Sequence, residues 1–408
     1  MIDSTKIKGW VVGRFKEFAV LQRGKDLTDN DVIPGKYPVV KSNGIQIYHD
    51  SCFVNPPGVV TGRSGTIGNV FYINEPFWAH NTTLYVKNFK DSHPLFIYYL
   101  IQRMDFRRYY AGTTVPTLNR NDIHRLTVEV PSQKSEQKAI AGILSKVDEA
   151  IEVIESSIKA TERLKKSLMQ NLLTGKIKPD GTWRSEEEFY LDEKFGKVPR
   201  GWQVKPVGDK SLCNINPNYK FVKGESYDFI PMDALNDGFQ GVGYLDSKIV
   251  DSGGYTRFRK GDILFAKITP CTENGKVALI NNMNTEIGFA STEFIVFSPK
   301  ETVDSQFYFY LLTSDRVHNL SVSLMEGTTG RQRVPWKVFK NRITAPIPMD
   351  LAEQRAIAER LKSIEQSNEI RKSKIQSLNN LKKSLMQNLL TGKVRVDVEK
   401  INKLLEKV

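Results

Sequence analysis

The sequence predicts an α+β chain: two globular α/β units separated by two long antiparallel helices that form a coiled-coil spacer, an internal pseudo-twofold repeat. Three observations predict it. Leu-Lys-Lys-Ser-Leu-Met-Gln-Asn-Leu-Leu-Thr-Gly-Lys occurs twice, word for word, at 164–176 and 381–393. Each copy closes a longer block in which Glu136-Gln137-Lys138-Ala139-Ile140-Ala141 answers to Glu353-Gln354-Arg355-Ala356-Ile357-Ala358, at the same separation of 217 positions (136 to 353, 164 to 381). Short strand-like runs broken by Gly, Pro and Asn precede each block. A repeat this long is a duplicated module, not a solenoid unit.

In chain order, residues 1–131 read as the first globular unit. Val39-Val40, Val59-Val60, Val70-Phe71-Tyr72-Ile73 and Leu84-Tyr85-Val86 are its strands, and an aromatic helix is expected from Pro94 to about Tyr110. Residues 132–176 are the first long helix and 177–200 a polar linker carrying Glu186-Glu187-Glu188. At Gly201-Trp202 the plan restarts, echoing Gly9-Trp10, and residues 201–349 form the second unit. There Ile263-Leu264-Phe265-Ala266 matches Val59-Val60, and Phe294-Ile295-Val296-Phe297 matches Leu84-Tyr85-Val86. The helical run from Phe307 to Leu312 matches Leu95 to Leu100, Gly327-Thr328-Thr329 matches Gly112-Thr113-Thr114, and Val334-Pro335 matches Val115-Pro116. Residues 350–393 are the second long helix and 394–408 an amphipathic tail.

The long helices carry a heptad seam. In the first it runs through Ile140, Leu144, Val147, Ile151, Ile154, Ile158, Leu168 and Leu172, with Thr161 and Lys165 as polar members. The second keeps Ile357, Leu361, Ile364, Ile375, Leu378, Leu385 and Leu389 and puts Asn368 and Arg371 in the seam. Polar seam residues give up stability and select register and partner. Thr174-Gly175 and Thr391-Gly392 supply the stops. The helices keep their two ends nearly identical between copies, whereas the globular units differ at almost every residue. One shared partner met twice, and two different targets, would produce that contrast. Leu164, Leu168, Met169 and Leu172, with Leu381, Leu385, Met386 and Leu389, are the candidate partner-binding residues.

Composition narrows the function. A chain of 408 residues needs more than one core. No apolar run is long enough to span a bilayer, and Met1-Ile2-Asp3-Ser4 does not begin a signal peptide. Cys52, Cys213 and Cys271 have no metal-ligand spacing and suit buried thiols in a reducing cytoplasm. A formal charge of +13 favours a polyanionic partner.

Chemistry-bearing motifs are missing. Asn55-Pro56-Pro57-Gly58 is similar to the Asn-Pro-Pro-aromatic motif of amino-methyltransferases, but it has Gly58 where a stacking ring is required. It reads as a turn. Gly62-Arg63-Ser64-Gly65-Thr66-Ile67-Gly68 is neither a dinucleotide nor a P-loop pattern, but a hydroxyl-rich loop of this kind lets backbone N–H groups approach phosphates. His49, His80, His93, His124 and His318 show no zinc or nucleophile–base spacing. No catalytic residue, metal site or bound cofactor is expected. A stand-alone DNA methyltransferase or nuclease is the rival reading, and a coiled-coil scaffold without DNA binding is the other.

Candidate DNA-reading residues fall in polar loops. In the first unit they are Lys41, Ser42, Asn43, Arg63, Ser64, Thr66, Asn81, Thr82, Thr83, Thr117, Asn119 and Arg120. In the second they are Lys267, Thr269, Asn274, Lys276, Ser291, Thr292, Glu293, Arg331, Gln332 and Arg333. Arg and Lys suit guanine's acceptors, Asn and Gln suit adenine, and hydroxyls suit phosphate.

With these residues assembled, the chain resembles the specificity (S) subunit of a type I restriction-modification enzyme over nearly its full length. The carriers are the doubled helices, Gly-Thr-Thr-Val-Pro-Thr-Leu-Asn at 112–119, Gly-Arg-Ser-Gly-Thr-Ile-Gly at 62–68 and Ile-Thr-Pro-Cys-Thr-Glu-Asn-Gly-Lys at 268–276. The resemblance implies two target-recognition domains, each reading one half of a bipartite asymmetric site on double-stranded DNA. It also implies two modification subunits that bring S-adenosylmethionine and methylate adenine, and restriction subunits that use ATP and Mg2+. The second unit departs from the first at Gly330-Arg331-Gln332-Arg333. The helices would act as a ruler, so lengthening them near Leu173-Thr174-Gly175 is expected to widen the unread gap.

Overall fold

A computed structural model describes residues 7–106, 117–251, 253–328 and 330–405. The chain forms two units, one built from residues 1–157 and 371–408 and the other from 158–370. Each long helix, Lys134–Leu172 and Leu351–Leu389, is therefore divided between them.

In the first unit a four-stranded antiparallel sheet has the order Val20–Arg23, Thr83–Asn88, Gly58–Gly62, Val70–Ile73. Gly58–Gly62 is buried along its whole length, as its place between two neighbouring strands requires. A smaller sheet pairs Gly44–His49 with Tyr37–Lys41, which runs parallel to Trp78–Ala79. Trp10–Arg14 pairs with Thr127–Pro131. The second unit repeats the plan. Cys213–Ile215, Phe294–Pro299, Ile263–Ala266 and Val277–Leu279 form the large sheet, and Asp246–Val250, Glu225–Ile230, Gly288–Ala290 and Thr256–Phe258 the smaller one. Trp202–Pro206 pairs with Thr344–Pro348. Strand order, and the one parallel pair in each smaller sheet, correspond between the units.

The aromatic helix of the first unit is Pro94–Arg103, with proline at its first turn, where no backbone N–H is needed. It ends at Met104, which is extended, short of the expected Tyr110; residues 107–116 lie outside the described residues. Its counterpart is Ser305–Leu312, capped by Asp304, whose carboxylate accepts from the Phe307 N–H at 2.8 Å.

Within each unit a stretch of one long helix lies antiparallel against a stretch of the other. In the first, Ile140 and Leu144 share a core with Leu389 and Leu390, and Lys382 reaches Asp148 at 2.7 Å. In the second, Leu172 shares a core with Ile357 and Leu361, and Lys165 reaches Glu365 at 2.6 Å. Lys165 and Lys382 are the same position of the repeat, as are Asp148 and Glu365. Each carboxylate also takes a tyrosine hydroxyl, Tyr99 on Asp148 at 2.8 Å and Tyr310 on Glu365 at 2.7 Å. The polar seam member Lys165 is thus used inside the chain.

The repeated block has other internal duties. Gln137 accepts from the His93 N–H and donates to the Pro131 carbonyl, and Gln354 does the same with Asp304 and Pro348. Glu136 takes the Trp10 indole and Arg395, while Glu353 takes the Trp202 indole and Arg184. Gly175 and Gly392 close the helices at φ +70° and +66°, where a side chain would be strained. A Cβ on the first would lie 2.2 Å from Pro199, and on the second 2.7 Å from Ile7. Much of the identity between copies therefore has a cause within the chain.

The stretch 177–200, read as a polar linker, is folded. Phe189–Asp192 and Gly196–Pro199 form a hairpin, Val198 is fully buried, and Tyr190 and Phe195 pack on the core. Its acidic run is compensated locally, Glu186 by Lys197 and Glu188 by Lys178. In the C-terminal tail, helix Val398–Leu405 lays Leu405 against Gly142, where a Cβ would lie 2.3 Å from it.

Cys213 is buried, and burial pushes its thiol pKa up to about 11. At neutral pH it is protonated and shielded, while Cys52 and Cys271 are partly exposed. Thiol labelling followed by peptide mapping is expected to modify Cys52 and Cys271 in the native protein, and Cys213 only after unfolding. Early labelling of Cys213 would contradict its burial.

Candidate nucleic-acid interface

In the first unit the loops after Gly58–Gly62 and before Thr83–Asn88 meet the segment at Thr117. The N–H of Arg63 donates to the Thr82 carbonyl at 2.8 Å, and its own carbonyl accepts from the Leu118 N–H at 2.8 Å. Ser64 bridges Thr117. The Ser42 N–H donates to the Thr82 hydroxyl oxygen at 3.3 Å, which also lies 2.9 Å from His80 Nδ1. Lys41, Ser42, Arg63, Ser64, Asn81, Thr82 and Thr117 thus gather on one frame. The Arg63 guanidinium is half-buried, and burial, then the neighbouring Arg23, lower its pKa. Arg23 in turn pairs with Asp26 at 3.8 Å, so the two arginines have one carboxylate between them. Asn43 and Thr66 sit exposed on the adjoining turns.

The second unit builds the same frame. The Lys267 N–H donates to the Glu293 carbonyl at 2.9 Å, and its carbonyl accepts from the Val334 N–H at 2.8 Å. Ile268 bridges Arg333. The Thr269 N–H donates to the Gln332 carbonyl at 3.0 Å, and Lys267 Nζ donates to the Thr292 carbonyl at 2.7 Å. The Arg333 guanidinium donates from Nε and Nη2 to the two Glu293 carboxylate oxygens at 2.9 and 2.8 Å. Those bonds hold the Glu293 carboxyl below its ordinary pKa. Ser291 accepts from the Glu293 N–H through its hydroxyl at 3.3 Å, and Arg331 is exposed beside them.

This bonding aligns the units position by position. Arg63 stands where Lys267 does, Thr82 where Glu293 does, and Thr117-Leu118 where Arg333-Val334 do. Val334-Pro335 therefore corresponds to Leu118-Asn119, not to Val115-Pro116 as the sequence match suggested. Helices Arg120–Arg125 and Trp336–Asn341 begin immediately after, which fixes the register. Residues 112–116 and Thr329 lie outside the described residues.

Several candidates have structural duties instead. Asn119 caps helix Arg120–Arg125, accepting from the Asn121 N–H at 2.9 Å. Thr83 is buried and donates to the His80 carbonyl at 2.7 Å. Arg120 donates to Gln22 at 2.7 Å, at the helix rather than at the loop frame. Asn274 donates to Asp237, Lys276 to the Met232 carbonyl, and the Thr269 hydroxyl to Glu273. Glu326 was missed. Its N–H and carbonyl pair with those of Arg333 at 2.9 and 2.8 Å, a contact between backbones that no residue type announces.

The eight partner-binding candidates divide. Leu168, Met169 and Leu172 pack into the core of the second unit, and Leu385, Met386 and Leu389 into that of the first. They are spent internally, because the seam faces the neighbouring helix. Only Leu164, 53% exposed, and its equivalent Leu381, 47% exposed, face outward.

Among the described residues there is no group of three or more His, Cys, Asp or Glu that could hold a metal, and no helix is long and apolar enough to cross a membrane. Asn55-Pro56-Pro57-Gly58 is a turn into the central strand, and the Phe77 ring occupies the space a side chain at Gly58 would need.

A family model described as "Type I restriction modification DNA specificity domain" matches residues 7–163 and 199–380. The MjaVIII specificity subunit of Methanocaldococcus jannaschii, a type I restriction enzyme component, is 25% identical over 95% of this chain and 93% of its own length. The putative MjaX specificity subunit of the same organism is 26% identical over 81% of this chain and 76% of its own. The S subunit of a type I restriction-modification system from M. genitalium has a similar fold, with a TM-score of 0.57 at 17% identity, covering 95% of this chain and 97% of that one.

Proposed function

We propose a working arrangement from one premise: this chain belongs to the type I restriction-modification DNA specificity family. It is the specificity subunit of such a system, and its two globular units are the target-recognition domains. Each domain reads one half of a bipartite asymmetric site on double-stranded DNA. The loop frames around Arg63 and around Lys267 are the reading surfaces, and the paired helices set the unread gap. Leu164 and Leu381, equivalent and exposed, each dock one modification subunit. S-adenosylmethionine is held by those subunits, ATP and Mg2+ by restriction subunits, and this chain works without a cofactor or a catalytic residue in the cytoplasm.

The observation that carries this reading is the doubled frame. Its backbone bonds agree between units, while Thr82 and Thr117 in one stand where Glu293 and Arg333 stand in the other. One fold holding different side chains at the same places is what reading two different half-sites requires.

Assembled with its modification subunits, the chain should shift only duplexes that carry its site. The purified chain alone should transfer no methyl group from labelled S-adenosylmethionine to DNA; transfer by the chain alone would establish the enzyme reading instead. Binding should also weaken steeply with salt. If the two frames together engage about six phosphates, log K is expected to fall with log salt at a slope of roughly −5. A flat dependence would remove phosphate contact as a source of affinity.

A further inference from the structure

We propose that Arg333 reads a guanine in the half-site served by the second domain, with Glu293 as the residue that positions it. The inference rests on the DNA-reading role above and adds a base and a division of labour to it. The guanidinium engages Glu293 along one edge, through Nε and Nη2. Its end-on edge, Nη1 and the outer hydrogen of Nη2, then points away from the carboxylate. Among the described residues Nη1 has only a long 3.5 Å approach to the Arg331 carbonyl, and the side chain is 47% exposed. Two parallel donors of this kind match the O6 and N7 acceptors of guanine, the base that offers two acceptors side by side in the major groove.

The carboxylate decides between base and phosphate. An arginine that serves phosphate gains from net positive charge, and a carboxylate bonded along its flank cancels that gain. What survives is direction, which a base edge rewards and a phosphate does not. The first domain supplies the contrast: among the described residues Arg63 has no carboxylate along its flank, the nearby Arg23 taking Asp26 at 3.8 Å, and Arg63 suits phosphate. The mounting is also stiff. The Arg333 backbone bonds both ways to Glu326, Ile268 bridges it, and Glu293 is fixed through Lys267 and Ser291.

The test begins by sequencing the motif methylated by the assembled complex. Competition binding then uses duplexes in which each specified G·C pair is replaced in turn. For the wild type, replacing the pair read by Arg333 should weaken binding about ten- to a hundredfold. In R333A and R333K that penalty should shrink to within about twofold at one pair of one half-site, the other half being unchanged. R333K keeps the charge but not the fork, and its melting temperature shows that the fold survives. E293Q should lose part of the discrimination at the same pair. An R333A complex weakened equally on every duplex, with R333K restoring affinity, would make Arg333 a phosphate contact and overturn the proposal. Unchanged discrimination in E293Q would overturn the positioning role. A wild-type complex that discriminates among no duplexes would instead bring down the DNA-reading role on which the inference stands.

Discussion

Inserting one heptad into each long helix, after Ser157 and after Ile370, is expected to widen the unread gap of the methylated site by about three base pairs. A heptad adds roughly 10 Å of helix at about 1.5 Å per residue, and B-DNA rises about 3.4 Å per base pair. Both helices must be lengthened because they run antiparallel: an insertion in one alone would carry Lys382 away from Asp148 or Lys165 away from Glu365. A whole heptad returns the seam to the same face. The site near Leu173-Thr174-Gly175 that the sequence suggested is unsuitable, since Leu173 is buried and Gly175 is packed against Pro199 and Trp202. Sequencing of methylated sites should show both half-sites intact and the gap enlarged. An unchanged gap would reject the helices as the ruler.

Glu353→Ala is expected to lower stability by about 3 kcal/mol, and Glu136→Ala by clearly less. The two residues hold the same position of the repeat, and each takes a tryptophan indole and an arginine. What differs is the arginine left behind. Arg184 is only 11% exposed and would keep just Glu188 at 3.8 Å and the Gly175 carbonyl at 2.9 Å, whereas Arg395 is 46% exposed and can turn to water. At about 2–4 °C per kcal/mol for a unit of this size, Glu353→Ala should lower the melting temperature by roughly 6–12 °C. Glu353→Gln, which keeps an acceptor for Trp202, should fall between. Equal melting of the two alanine variants would show that the burial of Arg184 is not the source of the difference.

The helices and central strands were legible in the sequence because apolar spacing reports burial directly. Ile263-Leu264-Phe265-Ala266 is buried throughout, and the helical seam faces its partner. The hairpin within 177–200 was not legible, since its core contribution rests on a few residues such as Val198 among many charges. Most of the candidate DNA-reading residues lie in loops, but Lys41 ends a strand, Thr83 begins one and Arg120 opens a helix, and the roles within the loops were not visible. Asn119 as a helix cap is a local rule that could have been applied, an Asn directly before a helix. The Arg333–Glu293 pair joins residues forty apart, and the three-residue error in matching Val334-Pro335 to the first unit arose because only hydrogen-bond register shows it. Six of the eight partner-binding candidates pack inside the units for a related reason: heptad spacing says that a face is covered, not which chain covers it.

The long helices are shared across the chain's ends, and this bears on how it is made. Trp10 and Glu136 find their closing partners at Leu389 and Arg395, the latter pair 259 residues apart. On a ribosome adding about 5–20 residues per second, the first unit must wait roughly 10–50 s with its tryptophan and the flank of its helix uncovered. Chaperone dependence should therefore fall on the earliest residues translated, and a premature stop anywhere before the second helix would leave even the N-terminal half unfinished.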